Sequence, residues 1–247
     1  MKKNIEIIAL VYMSIDYLNL ITSQLKSDNC KVDGWDVGIR LVLNDATDEV
    51  KEAVKQLDIP YSIFENKNPN EYYINRVYRA YNYGVTSSQY DNVCLVNSDN
   101  VFSKNWLWSL LQYHDGINIP CSFLIESGKR GLGPLAIAKN FGRTPKSIDF
   151  KGFEDFADSI KINTLRENGL YMPCVFEKNR FVESGMYPEG NIYATGVGNF
   201  GDRFVESGDV HLFNRLKQKY NMKHVSVMNS IVYHIQEGEL DESKNKL

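Results

Sequence analysis

The run IEIIALVY, residues 5–12, is apolar at every position except Glu6. A strand buried on both faces reads this way, because neither face meets water. Residues 16–26 then carry apolar side chains at 17, 18, 20, 21 and 25, close to the 3.6-residue period of a helix. The alternation repeats. Residues 36–43 read as a strand, and 47–57 as a helix with apolar positions 50, 53, 54 and 57. Tyr61–Phe64 reads as a short strand, 71–85 as a helix and 92–96 as a fourth strand. Strands separated by helices predict parallel pairing, since parallel neighbours require a crossover, and the crossovers cover both faces of the sheet. The expected class is α/β, a doubly wound, mostly parallel sheet in a single domain.

The pattern loosens after residue 110. A helix is expected over 104–112 and a strand over 117–125, followed by the glycine-rich, basic stretch SGKRGLGPLAIAKNFGRTPKS, read as loop. A strand over 172–176 leads into a short helix. TGVGNFGDR, residues 195–203, reads as a glycine-rich loop. Ser207-Gly208-Asp209 opens a helix to about residue 219, and strand-like segments follow at 223–227 and 230–235. The polar stretch 237–247 reads as a frayed tail. The expected division is one catalytic domain over 1–240, its halves 1–110 and 111–240, and a flexible tail over 241–247.

Composition narrows the partners. Of the 247 residues 43% are hydrophobic and 24% charged, enough to bury a sizeable core, and a net charge of −3 offers nucleic acid no basic field. No segment reaches the roughly 20 apolar residues that span a bilayer. The opening MKKNIEIIALVYMSIDYL breaks its apolar run at Ser14-Ile15-Asp16 with no small-residue cleavage site, so a soluble, cytoplasmic protein is expected. The four cysteines are scattered and form no CxxC pair, which suits reduced thiols rather than a zinc site.

In open α/β sheets ligands gather at the carboxyl ends of strands, near the point where strand order reverses. The first turn, Val11-Tyr12-Met13-Ser14, lacks GxGxxG, and no GxxxxGK[ST] occurs. Nothing here wraps phosphate in backbone amides alone, which leaves that work to a cation. The fourth strand supplies a candidate: Cys94-Leu95-Val96 gives way to Asn97-Ser98-Asp99-Asn100, polar groups crowded around one carboxylate.

Four segments occur in an order that resembles an inverting family 2 glycosyltransferase of the GT-A fold. They are IIALVYMSIDYL, LVLNDATDE, AYNYGVTSSQYDNVCLVNSDNVF and ESGDVHLFNRL. Residues 115–170 find no counterpart. The resemblance implies a nucleotide-sugar donor, most simply a UDP-sugar, and a glycan or small-molecule acceptor. Val11 and Tyr12 would line the base and ribose. Asp45 would accept the imide N–H of the base. Arg76 and Arg79 would approach phosphate if they point toward the strand ends, and form a solvated helix face otherwise. Ser98 and Asp99 stand in the family's DxD segment, here NSD, so Asp99 alone carries charge there. Mn²⁺ or Mg²⁺ suits one carboxylate with phosphate and water. His234 would join that metal and tilt the choice toward Mn²⁺.

Asp209 would be the general base for the acceptor hydroxyl. Tyr171 and Cys174 would line the sugar and acceptor pocket, and residues 195–203 would form a mobile lid. Structural readings stand beside these. Asp45, Asp99 and Asp209 each precede or open a helix and could serve its cap or dipole. Tyr12 could be a core-edge ring, and His211 and His234 structural. The chain lacks the QxxRW-type motif of processive synthases, implying single addition. Two other functions remain: a non-catalytic nucleotide- or glycan-binding module, and a sugar-nucleotide pyrophosphorylase, for which VYMSIDY supplies no glycine-rich loop.

Overall fold

The computed structural model describes residues 3–66, 71–128 and 132–236. The first half alternates strand and helix: β1 Lys3–Val11, α1 Ile15–Leu25, β2 Trp35–Asn44, α2 Asp48–Val54, β3 Tyr61–Phe64, α3 Tyr73–Ser87 and β4 Asn92–Asn97. The second half runs β5 Asn100–Phe102, α4 Trp106–Leu111, β6 Asn118–Glu126, β7 Ile137–Ala138, α5 Phe150–Ile160, β8 Leu165–Glu167, β9 Cys174–Glu177 and α6 Lys178–Glu183. It ends with β10 Ile192–Tyr193, β11 Gly196–Val197, β12 Phe204–Glu206, α7 Gly208–Tyr220 and β13 Lys223–His234.

The main sheet has the order β3-β2-β1-β4-β9-β6-β13-β5, with β7 beside β6 and β8 beside β13. β1 pairs in parallel with β2 and with β4, so strand order reverses at β1. β9 inserts antiparallel between β4 and β6. A doubly wound, mostly parallel sheet is therefore present, with antiparallel strands in its second half.

The burial follows from the pleat. Ile5, Ile7, Ala9 and Val11 face one core layer, while Ile8 and Leu10 face the other. α1, α2 and α4 cover the first layer with Leu18, Ile21, Val50, Val54 and Trp106. α3, α6 and α7 cover the second with Tyr78, Tyr81, Phe181, Leu212 and Phe213. The polar exception in β1, Glu6, is buried against Arg40 of β2, with Oε1 3.1 Å from Nη2. A third layer lies where no counterpart was found: Phe153 and Ala157 of α5 pack on Phe123, Ile231 and Tyr233.

Three expectations change. The segments 223–227 and 230–235 are one strand, β13, with a register shift between Val227 and Ile231. Ser230 turns inward there and meets Ser122 Oγ at 2.9 Å and the Trp106 carbonyl at 2.9 Å. The stretch 195–203 is turn and loop around one short strand, β11, which forms an edge of a three-stranded antiparallel sheet, β11-β10-β12. The stretch 127–147 contains β7 and a turn of 3₁₀ helix, Pro145–Ser147. The tail at 241–247 lies outside the described residues.

Candidate functional site

At the end of β2, Asp45 turns into the left-handed region (φ 52°), a conformation Asp tolerates better than most residues. Its Oδ1 accepts from the Asn66 backbone N–H at 2.7 Å. Its Oδ2 accepts from Asn66 Nδ2 at 2.7 Å and from Arg76 Nη1 at 3.2 Å. It does not cap α2; Thr47 does, accepting from Val50 N–H at 3.4 Å. Arg76 also reaches Tyr12 Oη at 3.5 Å, with its guanidinium 5.5 Å from the ring centre. Tyr12, Asp45 and Arg76 therefore come together, although they arise from three elements. Neither arginine forms a solvated face: Arg76 is 13% exposed, and Arg79 bonds Glu71 and Asn66 Oδ1. Val11 is fully buried and offers a ligand no surface of its own.

The end of β4 is tied down locally. Asn97 N–H donates to Asn100 Oδ1 at 3.0 Å, and Tyr81 Oη donates to Asn97 Oδ1 at 2.7 Å. Ser98 lies in the turn, partly exposed. Asp99 is 5% exposed and is separated from α4 by β5, so it is not that helix's capping acid. Its partner comes from far along the chain. The shifted register of β13 sets His234 opposite both Asn100 of β5 and Glu126 of β6. His234 Nε2 then lies 3.2 Å from Asp99 Oδ2, and Nδ1 lies 3.4 Å from Glu126 Oε1. Burial works against the charged imidazole, but the two carboxylates outweigh it and hold His234 at about 10. Burial likewise opposes the Glu126 carboxylate, yet its bond to His234 brings it below the ordinary value.

Glu126 was missed by sequence reasoning. The signal was the one that marked Asp99: a carboxylate ending a buried strand, here CSFLIE. Its Oε2 also accepts from Gly133 N–H at 2.9 Å, joining the histidine to the glycine-rich stretch.

Adjacent ligands of a six-coordinate cation with bonds of about 2.1 Å lie about 3 Å apart. The Asp99–His234 spacing fits this, and a carboxylate on the far imidazole nitrogen is the usual support of a metal-ligating histidine. These two residues can share a cation, with phosphate and water completing its shell. Glu126 faces the other ring nitrogen, and among the described residues no three or more His, Cys, Asp or Glu side chains converge as a metal site.

Asp209 sits at the second position of α7, whose cap is Ser207, accepting from Val210 N–H at 3.3 Å. Tyr78 of α3 donates to Asp209 Oδ2 at 3.0 Å and accepts from Asp209 N–H at 3.3 Å. Asn191 Oδ1 accepts from Gly208 N–H at 3.0 Å and from Tyr78 Oη at 3.4 Å. A methyl group on Gly208 would meet the Tyr78 ring at 2.3 Å, so glycine is what lets α7 approach α3. Burial pushes the Asp209 carboxyl up to about 6, against the Tyr78 hydrogen bond and the field of His224, which pull it down. A carboxylate poised there suits proton abstraction near neutral pH.

The remaining candidates divide. Tyr171 stacks on His224, with ring centres 4.8 Å apart, beside this group. Cys174 is fully buried within β9, in the layer with Tyr81, Phe176 and Phe213, so it has no surface with which to line a pocket. His211 pairs with Glu206 at 2.6 Å.

Known structures share this architecture. GalNAc-T7 with UDP, GalNAc and Mn²⁺ superposes with a TM-score of 0.58 at 11% identity, covering 94% of this chain and 44% of that one. The fold is GT-A-like. A mannosyltransferase from Pyrobaculum calidifontis in complex with GDP-Man and Mn²⁺ gives 0.54 at 12% identity, covering 94% and 56%. S. aureus TarS gives 0.54 at 14% identity, covering 94% and 36%. The chain thus spans little more than half, or less, of the length of these structures. No family model matches the chain, and no curated protein matches it in sequence. Among the described residues no helix is long and apolar enough to cross a membrane.

Proposed function

We propose that this chain transfers a sugar from a nucleoside-diphosphate donor, most simply a UDP-sugar, to a hydroxyl acceptor with inversion at the anomeric carbon. The observation that carries the reading is a set of three carboxylates with distinct surroundings on one GT-A-like fold: Asp45 and Asp99 just past the carboxyl ends of β2 and β4, and Asp209 in the first turn of α7. Asp45 with Tyr12 and Arg76 receives the nucleoside. Two of the carboxylate oxygens' roughly four acceptor positions go to Asn66 and one to Arg76, leaving one for a base N–H. Uracil and guanine present such an N–H, and cytosine does not. The solved neighbours in complex with UDP and with GDP-Man agree with that preference.

Asp99 and His234 would hold a divalent cation at the diphosphate, Mn²⁺ before Mg²⁺ because of the imidazole. When bound, it neutralises charge on the leaving diphosphate. Glu126 keeps His234 aimed at Asp99. Asp209 takes the proton of the acceptor hydroxyl as its oxygen forms the new bond to the anomeric carbon, and the bond from that carbon to the diphosphate oxygen breaks on the opposite face. Tyr78 fixes the Asp209 carboxyl in place.

The test is a screen of UDP-, GDP- and CDP-sugars for hydrolysis and transfer, with and without Mn²⁺. Turnover of UDP- or GDP-sugars that rises with Mn²⁺ and is lost in Asp99→Ala supports the reading. Binding of UDP with no turnover of any donor would make the chain a binding module instead.

A further inference from the structure

A cleft of about 420 Å³ opens between the start of α3 and the small sheet, within the usual range of small-molecule sites, about 300–1,000 Å³. The donor reading leaves it unused. Glu71, Asn75 and Arg79 line one wall, spaced along one face of the chain entering α3; Glu189, Val197 and Gly198 line the other. Asn75 is 5% exposed. Its Nδ2 donates to the Gly198 carbonyl at 3.4 Å, while its Oδ1 has no hydrogen-bond partner. A buried amide oxygen left without a donor is costly; this one is sealed under Gly190 at the cleft wall, so a ligand in the cleft would satisfy it once Gly190 or the Asn75 amide shifts. The sheet can come this close because Gly190 lacks a Cβ, which would lie 2.4 Å from that oxygen.

Beside the cleft the surface changes character. Phe200 is 57% exposed and stacks on Tyr72, with ring centres 4.3 Å apart and planes 18° from parallel. Phe204 and Val205 of the same sheet are 55% and 53% exposed. Flat exposed aromatic faces next to an amide, carboxylates and a guanidinium match a pyranose. Such a ring has an apolar C–H face and a rim of hydroxyls that both donate and accept.

We infer that this cleft binds the acceptor, and that the acceptor is a saccharide. The word acceptor rests on the function proposed above; the saccharide site stands on the cleft. A pyranose could come from either substrate, and the placement favours the acceptor. α3 sends Arg76 to Asp45 and Tyr12, on the nucleoside side. It sends Asn75 to the small sheet and, one turn on, Tyr78 to Asp209. Asn191, just before β10, binds both Tyr78 and the first residue of α7. The residue that leads into the sheet beside the cleft therefore bonds Tyr78, the partner of the proposed base, and Gly208, its neighbour.

The experiment uses the full chain, as wild type, Phe200→Ala and Asn75→Leu. Cellobiose, lactose, maltose and N,N′-diacetylchitobiose are titrated by saturation-transfer NMR, and UDP and a UDP-sugar by calorimetry. At least one saccharide should bind wild type, and each variant should weaken it by about tenfold or more. UDP binding on the same samples reports whether a loss is local. Phe200 is exposed, so that variant remains informative if Asn75→Leu folds poorly. Absence of binding by all four saccharides, or equal binding by wild type and Phe200→Ala, overturns the inference. A variant that loses affinity for the UDP-sugar relative to UDP overturns it too, by giving the cleft to the donor's sugar. Saccharide binding of the expected kind without any UDP binding or donor turnover supports the saccharide site and removes the transferase reading.

Discussion

Asp209 concentrates the chemistry in one side chain. Asparagine keeps its size but takes no proton at neutral pH. Asp209→Asn should lower transfer by about 10²- to 10⁴-fold while UDP affinity stays near wild type. Single-turnover transfer and calorimetry on one preparation check both halves, and wild-type transfer would remove the base assignment. The carboxyl is raised from its ordinary 3.8 to about 6. The active form is the deprotonated one, so kcat/KM should rise with pH through about 6. Tyr78 pulls that value down, so Tyr78→Phe should move this limb to higher pH; an unmoved limb would assign it to another group. The same shift acts on stability with the opposite sense. The native state keeps its proton after the unfolded chain has lost it, so this group's contribution to stability falls as pH rises from about 4 to about 6.

Among the elements, α5 shows how much packing one helix can supply. Phe153 is 1% exposed and meets Phe141 edge-on at 5.8 Å and Tyr233 at 5.9 Å. Phe153→Ala should cost about 3–5 kcal/mol, read as a lowered urea midpoint at an unchanged slope. A change under about 1 kcal/mol would mean that the third layer adds little to the fold. The helix was legible after all. Phe150, Phe153, Ala157 and Ile160 keep helical spacing, and Asp149 caps it by accepting from Gly152 N–H at 2.8 Å. Its glycine at 152 and the surrounding loop residues hid the period. The bulge in β13 was legible only in part. The pattern showed only a break, between 227 and 230; that the strand continues through it with a shifted register was not readable, because the inward turn of Ser230 is settled by Ser122 and Trp106 on other elements.

For the molecule as a whole, the two flanks of the site share α3. Arg76 serves Asp45, and Tyr78 serves Asp209. Asp45→Asn should weaken UDP binding by about 1–3 kcal/mol. Combined with Asp209→Asn, the losses in kcat/KM should add within about 0.5 kcal/mol. A larger coupling would show that the flanks communicate through the helix.

The first half of this chain was readable because its information is local. A strand buried on both faces must be apolar throughout, and parallel strands must be joined by crossovers, so β1 to β4 and the helices between them follow from pattern alone. Two carboxylates were readable for the same reason, since Asp45 and Asp99 follow apolar strands, while Asp209 was marked by its place at the start of a helix and by the resemblance of ESGDVHLFNRL. Their partners were not. Asn66, Glu126 and Tyr78 reach those carboxylates or the histidine across 21, 108 and 131 positions, in one case by way of a shifted register, and Asn191 reaches Tyr78 across 113. Hydrophobic period says which face of an element is buried, and says nothing of which distant side chain will lie against it. The insertion of β9 antiparallel between β4 and β6, and the approach of a small sheet to Asn75, were likewise decided by packing in three dimensions.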